Sequence, residues 1–252
     1  MLHGVGDSLF VADCVFRENR NGMGAGTRYA SIARSEFHQP YRFGFGALSY
    51  HQDRVDYSDC SSVFEGSEPA THLQLEGTHQ GFITGSSFEG GQLGIALSGG
   101  PDAEVTQCTF DTQSGAGIAL SIGSTVLRLN SSDFRGGRYA LSGSNWPGAT
   151  FLVEDITVES VTHASLALHA DHSGHIHGSL LAAGVEGIVE DNLYPDNDKN
   201  ADLEIDEPLP FDMRHNWWGT TDPDSIAALI TDYLDDERLH YIIEFEPFLS
   251  EP

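Results

Sequence analysis

Six oxygen-bearing side chains recur with the spacing of a cation-binding loop. Asp196, Asp198, Asn200, Asp202, Glu204 and Glu207 fall at positions 1, 3, 5, 7, 9 and 12 of a twelve-residue window, with the apolar Leu203 at position 8. Closely spaced carboxylate and amide oxygens on one loop are what a hard cation such as calcium requires. Two features depart from that pattern. Ala201 stands where such a loop uses glycine for its sharp turn, and Pro195 and Pro208 flank the window where paired helices would be. Ala201 to Asp206 also alternates like an ordinary strand. Calcium is the cofactor the spacing suggests; a solvated acidic insertion is the competing description.

Histidines form a second candidate. His169, Asp171, His172, His175 and His177 cluster within nine residues, and His175 and His177 share one face if that segment is extended. Neutral imidazoles beside a carboxylate suit zinc or copper, although the cluster has no recognised ligand spacing and solvated turn histidines are commoner. A third chemistry is acid–base work on glycosidic bonds, for which two carboxylates must converge. Asp102, Glu104, Asp111 and Asp133 are candidates for such a pair, with Arg128, Arg135 and Arg138 as the central basic residues. Spacing alone assigns no catalytic residue among them. Tyr41, Phe43, Phe45 and Tyr50 could stack on sugar rings as a substrate-binding stretch, but alternation at 41, 43 and 45 describes inward core residues equally well.

Composition narrows the class of partner. The chain has 252 residues, of which 38 are acidic and 12 are Lys or Arg, giving a formal net charge of −26. That field repels nucleic-acid backbones and anionic membrane surfaces, so no nucleic-acid partner is expected. No apolar run approaches the roughly 18 residues that cross a bilayer, so no membrane insertion is expected either. Lys199 is the single lysine, and Met1 to Ala12 carries neither a basic cluster nor a long apolar core of the kind found in export signals.

The elements that must position these residues follow from an internal repeat. Cys14-Val15-Phe16, Ser35-Glu36-Phe37, Ser62-Val63-Phe64, Ser86-Ser87-Phe88, Cys108-Thr109-Phe110 and Ser132-Asp133-Phe134 each place a small residue two before a phenylalanine. Ile156-Thr157-Val158, Ser179-Leu180-Leu181 and Asn216-Trp217-Trp218 continue the series with other large residues. Apart from a longer step of 37 before Trp218, the anchors recur about every 24 residues, within the range of solenoid repeats. Five residues before each anchor stand Val11, Ile32, Asp59, Ile83, Val105, Leu129, Val153, Ile176 and Met213, with Asp59 the misfit. Further short apolar stretches, such as Gly94 to Leu97 and Gly117 to Leu120, lie halfway round each repeat. Strands this short bury their apolar faces only by stacking on neighbouring copies. The spacing predicts an all-β parallel β-helix solenoid of about nine coils, roughly 40 Å long at 4.8 Å per stacked strand.

These coils, together with the ending Asn216-Trp217-Trp218-Gly219-Thr220-Thr221-Asp222-Pro223 and the later Phe245-Glu246-Pro247-Phe248-Leu249, resemble the right-handed parallel β-helix proteins of the pectate-lyase-like superfold. The resemblance implies a right-handed coil and an extracellular or cell-surface location. It does not choose a function, because that superfold includes lyases, hydrolases, epimerases, adhesins and phage spikes. Its pectate lyases use calcium held by aspartates with an arginine or lysine base. The Asn-Thr-Asp, Asp-Asp and Gly-His-Gly motifs of its polygalacturonases find no counterpart in a corresponding place, since Asp235-Asp236 falls in the expected cap, and the epimerase tetrad of Asp, Pro, His and Asp is missing. Periplasmic copper-processing members keep the histidine reading open.

The expected organisation is therefore coils over residues 1–221, with an acidic insertion at 190–207 in the last coil, and a cap over 222–252. Asp222 as N-cap, Pro223 behind it and Ile226, Leu229, Ile230 and Tyr233 on one face predict a short C-terminal capping helix over 222–236, followed by a strand near Tyr241 to Phe245. Trp217 and Trp218 could form a sugar-stacking platform, but their place in the anchor column favours packing in that cap. No comparable cap precedes Val11, so that end is expected to continue into a longer chain or another capping element. Cys14 and Cys108 occupy the small column four coils apart, too far for a disulfide, and three free thiols are predicted. The expected function is a noncatalytic module of a secreted or surface protein, binding polysaccharide or another extracellular partner along its side. A polysaccharide lyase or glycoside hydrolase is the alternative, and a periplasmic metal-binding module the second.

Overall fold

The computed structural model describes residues 3–4, 7–18, 21–38, 43–48, 53–64, 70–77, 79–121, 125–143, 149–168, 173–184, 187–191, 208–237, 239 and 241–251. Their strands form three parallel sheets of ten, ten and seven strands. The first sheet runs from His3–Gly4 to Ile230–Thr231, the second from Ser8–Ala12 to Tyr241–Glu244, and the third from Val15–Arg17 to Thr157–Glu159. Successive strands of a sheet come from successive repeats, so each coil contributes one strand to each sheet. Beyond Glu159 the third sheet thins to bridges from Thr157 to Leu180 and from Leu180 to Trp217. Short strands that alternate buried and exposed residues pack three inner faces around one continuous core.

The corner between the second and third sheets explains the small column. Asp13, Arg34, Asp59, Gly85, Gln107, Ser131, Asp155, Gly178 and His215 occupy equivalent corner positions, all with φ between 46° and 61°. That left-handed conformation turns the next residue's N–H inward, away from water, where it needs a partner. A ladder of small polar side chains supplies it. The N–H of Cys14 donates to Ser35 Oγ at 3.3 Å, that of Cys60 to Ser86 Oγ at 3.1 Å, that of Cys108 to Ser132 Oγ at 3.1 Å and that of Ile156 to Ser179 Oγ at 3.2 Å. Ser179 N in turn donates to Asn216 Oδ1 at 2.9 Å. The Ser35 and Ser86 N–H groups face the sulfurs of Cys60 and Cys108, so cysteine stands in for serine in this column. All three cysteines are free, as the column predicts.

Outside the ladder the core is mostly aliphatic, with a stack of aromatic rings running through it. Phe16 stacks on Phe37 at 4.9 Å between ring centroids, Phe88 on Phe110 at 5.1 Å and Phe110 on Phe134 at 4.6 Å. Each such pair contributes about 0.5–1.5 kcal/mol beyond the burial of its area.

One coil departs from the expected register. Phe37 pairs with Ser62 and Ser62 with Phe88, so Ser62 rather than Phe64 holds the anchor position, and Cys60 rather than Ser62 the small one. Tyr57 then takes the column assigned to Asp59. Its ring bridges Phe37 at 6.2 Å and Phe88 at 6.1 Å and fills the volume that Ser62 leaves. His72, also buried, fills the rest: its Nε2–H donates to the Gly90 carbonyl at 2.9 Å, which leaves Nδ1 to accept from Ser62 Oγ at 2.7 Å.

The C-terminal helix is shorter than predicted. It spans Pro223–Ala227 only, and Ile230–Thr231 instead joins the first sheet by pairing with Val189 and Glu190. Ile226 and Ile230 are buried as expected, but the second reaches the core as a strand residue. Trp218 is buried and meets Phe245 edge-on at 6.1 Å, and Tyr241–Glu244 forms the closing strand. Among the described residues no helix is long and apolar enough to cross a membrane.

Candidate functional site

In-register stacking turns each outward strand position into a straight column. On the second sheet the middle outward column reads Phe10, Ser31, Asp56, Phe82, Glu104, Arg128, Leu152, His175, Asp212 and Glu244. Two residues along each strand, a parallel column carries Thr106, Asn130, Glu154 and His177.

The first part of this face is aromatic. Phe10 is 70% exposed, and its ring lies 5.4 Å from that of Tyr29. The Tyr29 hydroxyl donates to Asp56 Oδ2 at 2.7 Å, which raises the phenol's pKa. Asp56 also accepts from Arg54 Nε at 2.8 Å, and the Arg54 guanidinium lies 4.3 Å over the Phe82 ring. Phe10 is the exposed ring of this group, Tyr29 and Phe82 being half-buried, and such a ring offers an apolar face on which a sugar ring stacks.

Further along, an open cleft of about 350 Å³ is lined by Glu104, Thr106, Arg128, Leu129, Asn130, Leu152, Glu154 and His175. Within this lining Arg128 pairs with Asp102. His175 and His177 stack at 4.7 Å, with His175 Nε2 3.8 Å from Glu154 Oε1 and His177 Nε2 3.0 Å from Asp212 Oδ1. Arg214 donates to Asp212 through Nε at 2.9 Å and a terminal nitrogen at 2.8 Å, and this pair, helped by His177, holds the Asp212 carboxyl well below the usual carboxylate range. The cleft thus offers hydroxyl, amide and carboxylate oxygens beside the apolar side chain of Leu152, a mixture suited to saccharide hydroxyls and ring faces.

The residues singled out in the sequence are dispersed. Phe45 is 0% exposed: its ring belongs to the core, and its place in the sugar-stacking stretch is corrected on that ground. Phe43 begins the strand Phe43–Leu48, and Tyr41 and Tyr50 lie outside the described residues. Asp196, Asp198, Asn200, Asp202, Glu204 and Glu207 also lie outside them, as do His169, Asp171 and His172. Among the described residues no three His, Cys, Asp or Glu side chains are grouped to hold a metal. The four carboxylate candidates divide between two faces. Asp102 and Glu104 belong to the second sheet, whereas Asp111 and Asp133 belong to the third, where Asp133 lies 3.6 Å from Arg135. Arg138 turns instead toward Tyr139 and His163.

Phe10, Tyr29, Phe82, Glu154 and Asn130 were missed. The outward columns held the signal: Phe10 and Phe82 stand one residue before Val11 and Ile83, at an equivalent solvent-facing position where phenylalanine has no core role.

Three parallel sheets wrapped around a single core, each coil adding one strand to each sheet over most of the length, define a parallel β-solenoid. The sequence profile of the family described as right handed beta helix region matches residues 2–153, and the chain belongs to that family. No curated protein matches the chain. Nor does any solved structure.

Proposed function

We propose that the chain is a noncatalytic β-helix module of a secreted or surface protein that binds a polysaccharide along the solvent face of its second sheet. The observation that carries this reading is the sharing of one face by the Phe10, Tyr29 and Phe82 rings and the cleft at Glu104, Arg128 and Glu154. Stacking surface at one end and hydrogen-bonding groups at the other suit an extended chain of sugars.

A second reading is favoured by the cleft itself. Glu104, Glu154 and Arg128 line one opening, and a lyase or hydrolase needs such convergence of carboxylates and a base. One experiment separates the two: incubation with a panel of acidic and neutral polysaccharides, assayed for retention and for unsaturated or newly reducing products. Retention without cleavage supports the module; cleavage of any polymer refutes it in favour of the enzyme. Calcium at Asp196, Asp198, Asn200, Asp202, Glu204 and Glu207 is a further proposal supported by their spacing, and calorimetric titration of the protein with calcium tests it.

A further inference from the structure

The proposed glycan-binding reading leaves the class of saccharide open, and the charges on the same face narrow it. Three arginines lie along the second sheet's outer surface among the described residues, and an aspartate holds each. Arg54 bonds Asp56, Arg128 bonds Asp102, and Arg214 makes a two-pronged pair with Asp212. Glu104 forms no ion pair among the described residues, and Glu154 has only the His175 ring, 3.8 Å away, as an ionic partner when that ring is protonated. The cleft therefore presents two carboxylates, Glu104 and Glu154, with no arginine among the described residues paired to either. An acidic sugar would have to displace an aspartate from its arginine while approaching Glu104 and Glu154. The chain's net charge of −26 opposes it at longer range.

We propose that the saccharide taken by this cleft carries protonated amines, which Glu104 and Glu154 receive as charge-assisted hydrogen-bond acceptors. This inference rests on the glycan-binding reading. It fixes the sign of the ligand, which that reading does not.

The test uses short glucosamine oligomers titrated at about pH 6, where the amines keep their N–H donors and their charge while the glutamates stay ionised. The fully N-acetylated oligomer of the same length and a galacturonate oligomer serve as comparators, all titrated by calorimetry under the same conditions. Because an acidic protein attracts any polycation, a Glu104→Gln/Glu154→Gln variant is set against Glu89→Gln/Glu159→Gln, an equal charge change on exposed residues of the third sheet. The expected result is binding of the cationic oligomer that weakens with salt, with a loss of about ten-fold or more in the first variant and under two-fold in the second. Equal losses in both variants overturn the proposal by reducing the attraction to net charge. Equal or tighter binding of the acetylated or galacturonate oligomer also overturns it but leaves the glycan-binding reading standing. Failure of all three oligomers to bind removes both.

Discussion

Replacing Ser132 by alanine deletes one hydroxyl from the inner ladder and should cost far more than an exposed serine would. The Ser132 side chain is buried, accepts from the Cys108 N–H at 3.1 Å and donates to the Asn130 carbonyl at 3.0 Å. The carbonyl keeps a second donor, the N–H of Gln107 at 3.2 Å, but the Cys108 N–H is left with no acceptor and no access to water. An orphaned buried donor costs about 1–3 kcal/mol, and in a chain of this size each kcal/mol lowers Tm by about 2–4 °C, so a fall of about 2–12 °C is expected. Ser132→Cys should recover most of the loss, because cysteine already serves in this column at Cys60 and Cys108. Thermal and urea unfolding followed by circular dichroism measure both. Ser86→Ala repeats the experiment at the Cys60 N–H, and because the two hydroxyls serve separate donors two coils apart, the losses should add. The reasoning fails if Ser132→Ala lies within about 0.5 kcal/mol of the parent, the scatter expected of an unremarkable surface change, or if the cysteine variant is as unstable as the alanine one.

Burial lowers the pKa of His72 to about 4, against 6.5 for the free side chain. The unfolded chain therefore binds the extra proton first, so stability from this site is complete above about pH 6.5 and is lost as pH falls toward 4, by about 3 kcal/mol in all. In acid titrations His72→Gln should show a shallower decline over that window than the parent; parallel curves would refute the assignment. Burial also pushes the Cys108 thiol up to about 11 and raises that of Cys60, so a thiol reagent at neutral pH should label the partly exposed Cys14 alone until the protein is unfolded. Gly174 has φ +131°, and a Cβ there would lie 1.7 Å from the Phe151 carbonyl oxygen, whereas a Cβ on Gly26 meets nothing within 4 Å. Gly174→Ala should destabilise by about 3 kcal/mol or more and Gly26→Ala by under about 0.5 kcal/mol, as compared by urea midpoints.

The fold was legible wherever one residue type did one job. Phe88, Phe110 and Phe134 recur at the coil spacing because each ring must sit on the one below, so their period exposed the stack. The third coil misled because the job was split. Tyr57 brings the ring from a neighbouring column while Ser62 holds the anchor position, and the nearby Phe64 looked like the missing member. The cap misled for a different reason: Ile226, Leu229, Ile230 and Tyr233 do have helical spacing, but the open edge at Val189 offers Ile230 backbone partners, and sheet pairing outweighed the pattern. The site was least legible. Its members, from Phe10 to His175, come from strands scattered through most of the chain, and only the register of the coils brings them together.

The exchange of roles between Tyr57 and Ser62 has a consequence for how the molecule could change its length. A coil is a nearly complete unit of construction, and in the third the ring comes from Tyr57 while Ser62 holds the anchor position. Excising it whole would bring Phe37 directly beneath Phe88, restoring the plain ring-on-ring contact found between Phe16 and Phe37. Altering either position singly would leave a void or a collision. Shortening of this chain by that entire turn would thus keep the ring stack in register at the very coil where piecemeal substitution is most constrained, while taking Arg54 and Asp56 out of the outer face of the second sheet.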